Sequence, residues 1–370
     1  MLSVDAHDGF SPAAAEAMLE ELVRIESRSG KERHAVEFLV RAMRGAGCES
    51  SIDEAGNAVA WRTGRLNSAN APRDIVLLGH IDTFPGNPPV RREGDLLFGR
   101  GSVDAKGPLA AFAVALANLA TVPDDTRLVV VGAVEEESAT SRGARHLAAT
   151  LRPAACIIGE PSRWDGITLG YKGRALVRYT LDRASSHSAG PDESAPDSFV
   201  RWWHEVRQDV AALTPASKGV FDRVQTTVRS VDTQADGLNE GVRSLVGFRL
   251  PPGVDGRTIE EICRRRAGTG TIEAFGLEVA HVEPRSSTVA SALSVAIRAE
   301  GGTPRPQVKT GTADMNVVAP VWKCPIVAYG PGDSSLDHTP HEHVSMAEFH
   351  RSIAVLMRAL PLLAATVSAR

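Results

Sequence analysis

Short apolar runs of strand length, IVLL at 75–78, LVVV at 128–131 and II at 157–158, alternate with helix-length segments at 109–119 and 141–151. This alternation constrains the fold more than any other feature. Strand, helix, strand in succession predicts an α/β fold, a mostly parallel sheet with helices on both faces. Each run is followed closely by an acid or an imidazole: His80 after the first, EEE at 135–137 after the second, Glu160 after the third. Open α/β sheets build their sites at the carboxyl ends of strands, so these side chains are expected to converge.

Upstream, Ser11 and Pro12 read as a helix cap and first helical position, followed by Met18, Leu19, Leu22 and Val23 at helical spacing. A second stripe, Val36, Leu39, Val40 and Met43, ends at the glycines 45 and 47. Past Tyr171 the pattern changes: Ala175, Val177, Tyr179 and Leu181 alternate with Leu176, Arg178, Thr180 and Asp182. Period two suits a half-solvated antiparallel strand and opens a new domain. It is expected to continue through a helix near 198–212, strands near 223–230 and 242–250, and a helix opened by Thr258 with Glu261 in a capping-box spacing. Beyond Pro284 the α/β style returns, with strands at 307–309 and 326–329 and a closing helix from about Ser345. The expected plan is catalytic segments 1–172 and 286–370 around an inserted α+β domain at 173–285.

A chain of 370 residues with 43% hydrophobic content holds more than one compact domain usually does. A formal charge of −4 argues against nucleic acid or an anionic membrane as the partner. The charge-free apolar run at 109–120 is shorter than the roughly 20 residues a hydrocarbon core requires, so no membrane span is expected. The opening MLSVDAHDGF has no basic region, which speaks against a secretory signal and for a cytoplasmic protein. Cys48, Cys156, Cys263 and Cys324 form no CxxC pair and read as small buried hydrophobes.

The strand-end segments carry the chemistry. In GHIDTFPG, 79–86, His80 fits a metal ligand and Asp82 the carboxylate that orients its ring, although a turn-capping Asp beside a surface His has the same spelling. In GRGSVDAKG, 99–107, Asp104 fits a carboxylate bridging two ions, or an ordinary helix cap. Among the adjacent acids, successive residues point in different directions, so Glu136 can hold a metal while Glu135 faces the substrate as proton shuttle. Packed carboxylates repel unless a cation sits among them. Glu160 in IIGEPS is a further strand-end acid, and GPGDSSLDHTPHEHV, 330–344, offers His338, His341 and His343 without a choice among them. Imidazole and carboxylate ligands in this number suit a two-zinc hydrolase.

Taken together, HID, GRGSVDAKG, EEE, IGEPS and GPG…DHTPHEHV resemble the zinc aminoacylases and peptidases that include acetylornithine deacetylase, succinyl-diaminopimelate desuccinylase and dipeptidases. The resemblance spans nearly the whole chain. It implies that His80, Asp104 and Glu160 hold one zinc and that Asp104, Glu136 and His338 hold the other, with Glu342 as the acid following the histidine. Cobalt or manganese could replace zinc at such ligands. It also implies a cis peptide after Asp104, Glu135 as the catalytic base, and dimerisation through an inserted lid whose His187 reaches the partner's site. Arg249 is then expected to recognise a substrate carboxylate, with Asn239, Lys309, Gly311 and Thr312 as further contacts.

YKGR near Tyr171, VDAKGP, the Glu of IGEPS and KTGTADMNV, 309–317, look most like one subgroup of that family. Its members hydrolyse the amide joining lysine or ornithine to the terminal glutamate of a small acidic amino-group carrier protein. Lys172, Arg174, Arg178 and Arg183 would offer basic charge to such a carrier. The alternatives are a free-standing deacylase for N-acetylornithine, N-acetyllysine, N-acetylcitrulline or N-succinyl-diaminopimelate, and, more distantly, an inactive binding protein. No GxSxG elbow supports a serine hydrolase.

Overall fold

The computed structural model describes residues 9–67, 71–187, 189–215 and 219–368, and residues 1–8, most of the opening stretch read for a signal, lie outside them. The chain forms two compact units, one of Met1–Gly170, Glu283–Gln307 and Ala313–Arg370, the other of Tyr171–Val282 and Val308–Thr312. The short segment Val308–Thr312, expected in the second catalytic piece, groups instead with the smaller unit.

In the larger unit four strands run parallel in the order Thr126–Ala133, Arg73–His80, Ala155–Gly159, Ile326–Tyr329. Antiparallel neighbours flank them: Ala58–Thr63 and then Glu49–Ile52 on one side, Gly166–Tyr171 on the other. The sheet is therefore mixed, with a parallel centre. All four parallel strands finish at the same edge, which brings His80, the 135–137 acids, Glu160 and the segment leading to His338 to one end of the sheet.

Helices seal the faces. Pro12–Arg24 is capped by Ser11, whose side chain accepts from Ala14 N, and buries Met18, Leu19, Leu22 and Val23. Lys106–Asn118 is buried on every side through Ala117, as expected of a helix apolar all round. Truncating its wholly buried Phe112 to Ala should cost about 3–5 kcal/mol. The closing helix Met346–Ser368 contains a 22-residue window, Met346–Val367, long and apolar enough to cross a membrane, longer than the run at 109–120. Half of that window is buried, and Phe349, Leu356, Leu360 and Leu363 pack in the main core, which makes it a core helix here. Cys48, Cys156 and Cys263 are buried, whereas Cys324 is only partly so.

The smaller unit is a four-stranded antiparallel sheet in the order Gln225–Ala235, Asn239–Leu250, Gly173–Ala184, Thr271–Glu278. Ala175, Val177, Tyr179 and Leu181 face its core, with Phe199 and Trp202 of helix Ala195–Ala211 and Ile259 and Ile262 of helix Gly256–Arg266. That second helix is capped by Asp255, whose carboxylate accepts from Arg257 N, rather than by Thr258. The helix starts three residues earlier than the Thr-to-Glu spacing suggested, which puts Thr258 inside its first turn.

Candidate metal centre

His80 closes the strand Arg73–His80 and is almost wholly buried. Its Nδ1 lies 3.0 Å from the carbonyl oxygen of Asp82, which can only accept, so Nδ1 carries the ring proton. Nε2 is left to face Asp104 Oδ1 at 3.2 Å and Glu160 Oε1 at 3.9 Å. The buried carboxylate of Asp82 accepts from Glu136 N and Glu137 N, both at 3.0 Å, and from Ser29 Oγ at 2.7 Å. One side chain thus ties the end of the His80 strand to the loop of acids.

The Asp104 loop wraps around a second buried acid. Glu342 Oε1 accepts from Gly101 N at 2.8 Å, Val103 N at 3.0 Å and Asp104 N at 3.1 Å, while Oε2 pairs with Arg100 at 2.6 Å. Gly101 has φ +85, and a Cβ there would meet Thr83 and Lys106 side-chain atoms under 3.0 Å, so only glycine fits the turn. The Asp104–Ala105 peptide is cis. Lys106 reaches Leu22 O at 2.9 Å and Ile25 O at 2.6 Å, and burial pulls its pKa down to about 7. Asp104 presents Oδ1 to His80 and Oδ2 to His338 Nε2, 3.0 Å away, the placement of a bridging carboxylate.

After strand Thr126–Ala133 the acid loop is braced by Asn57, whose Oδ1 accepts from Val134 N at 3.0 Å and whose amide donates to Gly143 O at 3.3 Å. Glu135 stands at φ 62, and its carboxylate is taken by Arg142 and Thr140, both at 2.6 Å. Glu137 Oε1 instead lies 2.9 Å from His338 Nε2. The group at the second position is therefore Asp104, Glu137 and His338, alongside His80, Asp104 and Glu160 at the first. Glu137 thus stands where Glu136 was expected, and Glu135, the expected base, pairs with Arg142 and Thr140. The left-handed turn at Glu135 aims that residue at Arg142. Glu136 lies inside the cluster: burial pushes its carboxyl well above the usual range, His80 opposes this, and the charges of Asp314, Glu160 and Glu137 add to it.

The donor set fits a pair of divalent cations. Carboxylates of Asp104, Glu136, Glu137 and Glu160 are crowded into a desolvated space, and their demand for positive charge falls on the imidazoles. Burial opposes protonation of His80, but hydrogen bonds from its ring to Asp104 and Asp82 outweigh it and hold its pKa well above the usual value. Against the same opposition, Asp104 and Glu137 lift His338 to about 10. Cations at the two groups would meet that demand without protons. Of the other candidate histidines, His341 is exposed, and His343 packs on Phe98 with Nδ1 against His341 O.

The remaining candidates belong to the smaller unit. Arg249 donates to Thr312 Oγ1 at 2.6 Å, and Thr312 donates to Lys172 O at 3.0 Å. Lys309 O accepts from Lys172 N, and Gly311 is half-buried between these positions. Asn239 is exposed at the start of its strand, and His187 lies in an exposed loop, its Nδ1 accepting from Ala189 N at 3.1 Å. Lys172 is not the surface cation expected of it: it is buried, donates to Val220 O, Arg223 O and Gln225 Oε1, and burial lowers its pKa to about 8. Arg178 and Arg183 are paired with Glu273 and Glu240, and Arg174 donates to Gly276 O, so the four do not make an open basic patch. Sequence reasoning gave no role to Asn57, Arg100, Arg142 and Asp314, although Arg100 lies within GRGSVDAKG and Asp314 within KTGTADMNV.

Residues 76–361 match the model of a family described as Peptidase family M20/M25/M40. The chain is similar to the [LysW]-lysine hydrolase of Deinococcus radiodurans, 44% identical over 357 residues that cover 94% of this chain and 96% of that protein. It is also similar to the [LysW]-lysine/[LysW]-ornithine hydrolase of Sulfurisphaera tokodaii, 28% identical over 93% of this chain and 94% of that protein. Among solved structures, an M20 family metallo-carboxypeptidase, Sso-CP2 from Sulfolobus solfataricus, shares the fold with a TM-score of 0.77 at 18% identity, over 95% of this chain and 99% of that one.

Proposed function

The chain belongs to peptidase family M20/M25/M40 and is a metal-dependent amide hydrolase, and from that premise we propose that it releases lysine or ornithine from the carrier protein LysW. The scissile bond is the amide joining the amino acid to the carrier's terminal glutamate. The observation that carries the reading is Asp104 shared between two cation-binding groups, in a chain alike along nearly its whole length to hydrolases of that name.

His80, Asp104 and Glu160 would hold one ion and Asp104, Glu137 and His338 the other; zinc is the proposed metal, with cobalt or manganese as substitutes. Bound there, a divalent pair supplies Lewis acidity and makes hydroxide available at neutral pH. Asp82 keeps the His80 ring proton on Nδ1 and the acid loop in register. Glu136 is the proposed proton shuttle: its raised proton affinity suits a carboxylate that takes a proton from water and delivers it to the leaving amine as the C–N bond breaks. Arg249, positioned by Thr312, is the proposed fork for the amino acid's carboxylate, with Asn239, Lys309 and Gly311 beside it in role. His187 is proposed to serve the site of a second subunit in a homodimer, acting in the cytoplasm.

Purified enzyme is to be offered LysW carrying lysine, LysW carrying ornithine, and free N-acetylornithine, N-acetyllysine, N-acetylcitrulline and N-succinyl-diaminopimelate, with released amine measured. Preference for either carrier-borne substrate is expected. Preference for a free acyl amino acid would replace this reading by the deacylase one.

A further inference from the structure

We infer that Phe84 and Arg100 are positioning residues for His338, and that through it they set how firmly Asp104, Glu137 and His338 hold their ion. The inference rests on the two-ion reading above. His338 needs outside support. It follows the sheet in a loop, its backbone is left-handed at φ 60, a region uncommon for a residue with a side chain, and that side chain is 41% exposed. Its contacts to Asp104 and Glu137 both converge on Nε2, which fixes one ring atom but leaves the ring free to swing about it.

Phe84 supplies the missing constraint. Its ring is stacked on the imidazole with centroids 4.2 Å apart and planes 11° from parallel, so it defines the ring plane that the contacts at one nitrogen do not. Arg100 stands behind it, its side chain 8% exposed. Nε donates to Gly86 O at 3.0 Å, one terminal nitrogen to Glu342 at 2.6 Å, and the other lies 3.5 Å from His338 O. The guanidinium also lies 5.9 Å from the Phe84 ring centre. One cation therefore links the Phe84 segment, the main chain of His338, and the carboxylate of Glu342 that holds Asp104 N. His80 is oriented differently, by the acceptor at Nδ1, and makes no use of Phe84.

The consequence is selective. Phe84→Leu, close in volume but without a ring to stack, should keep one ion per chain as the wild type does. It should release the other about 10–100-fold more readily, the range typical when a partner of a metal ligand is removed. Zinc-loaded protein is titrated with a competing chromophoric chelator, and thermal unfolding is followed in parallel. Phe84→Tyr, which keeps the stacking face, should restore wild-type retention, and Arg100→Lys should show the same selective loss as Phe84→Leu. Retention of both ions at wild-type affinity in Phe84→Leu overturns the inference. Equal weakening of both ions together with a lowered unfolding midpoint, unrestored by Phe84→Tyr, also overturns it by showing a general structural role. A wild-type chain that binds only one ion sinks the two-ion reading itself, and the inference with it.

Discussion

The two cation-binding groups share Asp104 and differ in how the protein closes around them. The first is built from strand ends: His80 has a 2% exposed side chain and Glu160 lies on the adjoining strand's exit. The second is built from loops, with His338 41% exposed and in a left-handed conformation. A site walled by a sheet edge is preformed and excludes water, whereas a site on loops must be held by neighbours such as Phe84, Arg100 and Glu342. The first group should therefore bind its ion more tightly and exchange it more slowly than the second.

Variants can break that contrast or sharpen it. Asp104→Asn removes what the groups share and has the largest expected effect, loss of both ions and a fall in kcat/KM beyond about 10⁴-fold, read by metal analysis and turnover. Glu136→Gln should leave both ions bound and lower kcat by about 10²–10⁴-fold; metal loss in that variant would return Glu136 to the ligand role. Glu160→Gln and Glu137→Gln should then separate the groups. Each should weaken one binding step by at least about 10-fold, the tight step for Glu160 and the weak step for Glu137, as resolved by calorimetric titration. Glu135→Gln is expected to be the mildest. Its carboxylate meets the half-exposed Arg142, a kind of pair worth about 0.2–1 kcal/mol, so stability falls slightly while ion binding stays unchanged.

His80 and Glu160 of the first group were placed by the sequence because each follows an apolar strand, and such a strand has only one exit, whereas Asp104 lies in the glycine-rich loop before helix Lys106–Asn118. His338 stood out only through the resemblance, since three histidines crowd 338–343 and local spacing does not separate them. The acid run is ambiguous for a related reason. Three identical residues in a row contain no register signal, and the direction each takes is decided by the φ of Glu135 and by Arg142, Asn57 and Asp82 from elsewhere in the chain. Elements without a clean period were also missed. Helix Asp314–Trp322 contains Pro320, and strand Ala58–Thr63 lies antiparallel beside the parallel centre and ends in Arg62 and Thr63. In the smaller unit, Lys172 was misread as a surface charge because nothing local announces the carbonyls of Val220 and Arg223 that bury its amine.

Metal titration of chelator-stripped protein, with activity recorded at every addition, tests the two-group arrangement most directly. The account predicts an inactive stripped chain, two resolved binding steps per chain, and loss of only the weaker step in Glu137→Gln. Full turnover by protein free of divalent ions, or a single step unaffected by Glu137→Gln, would contradict it.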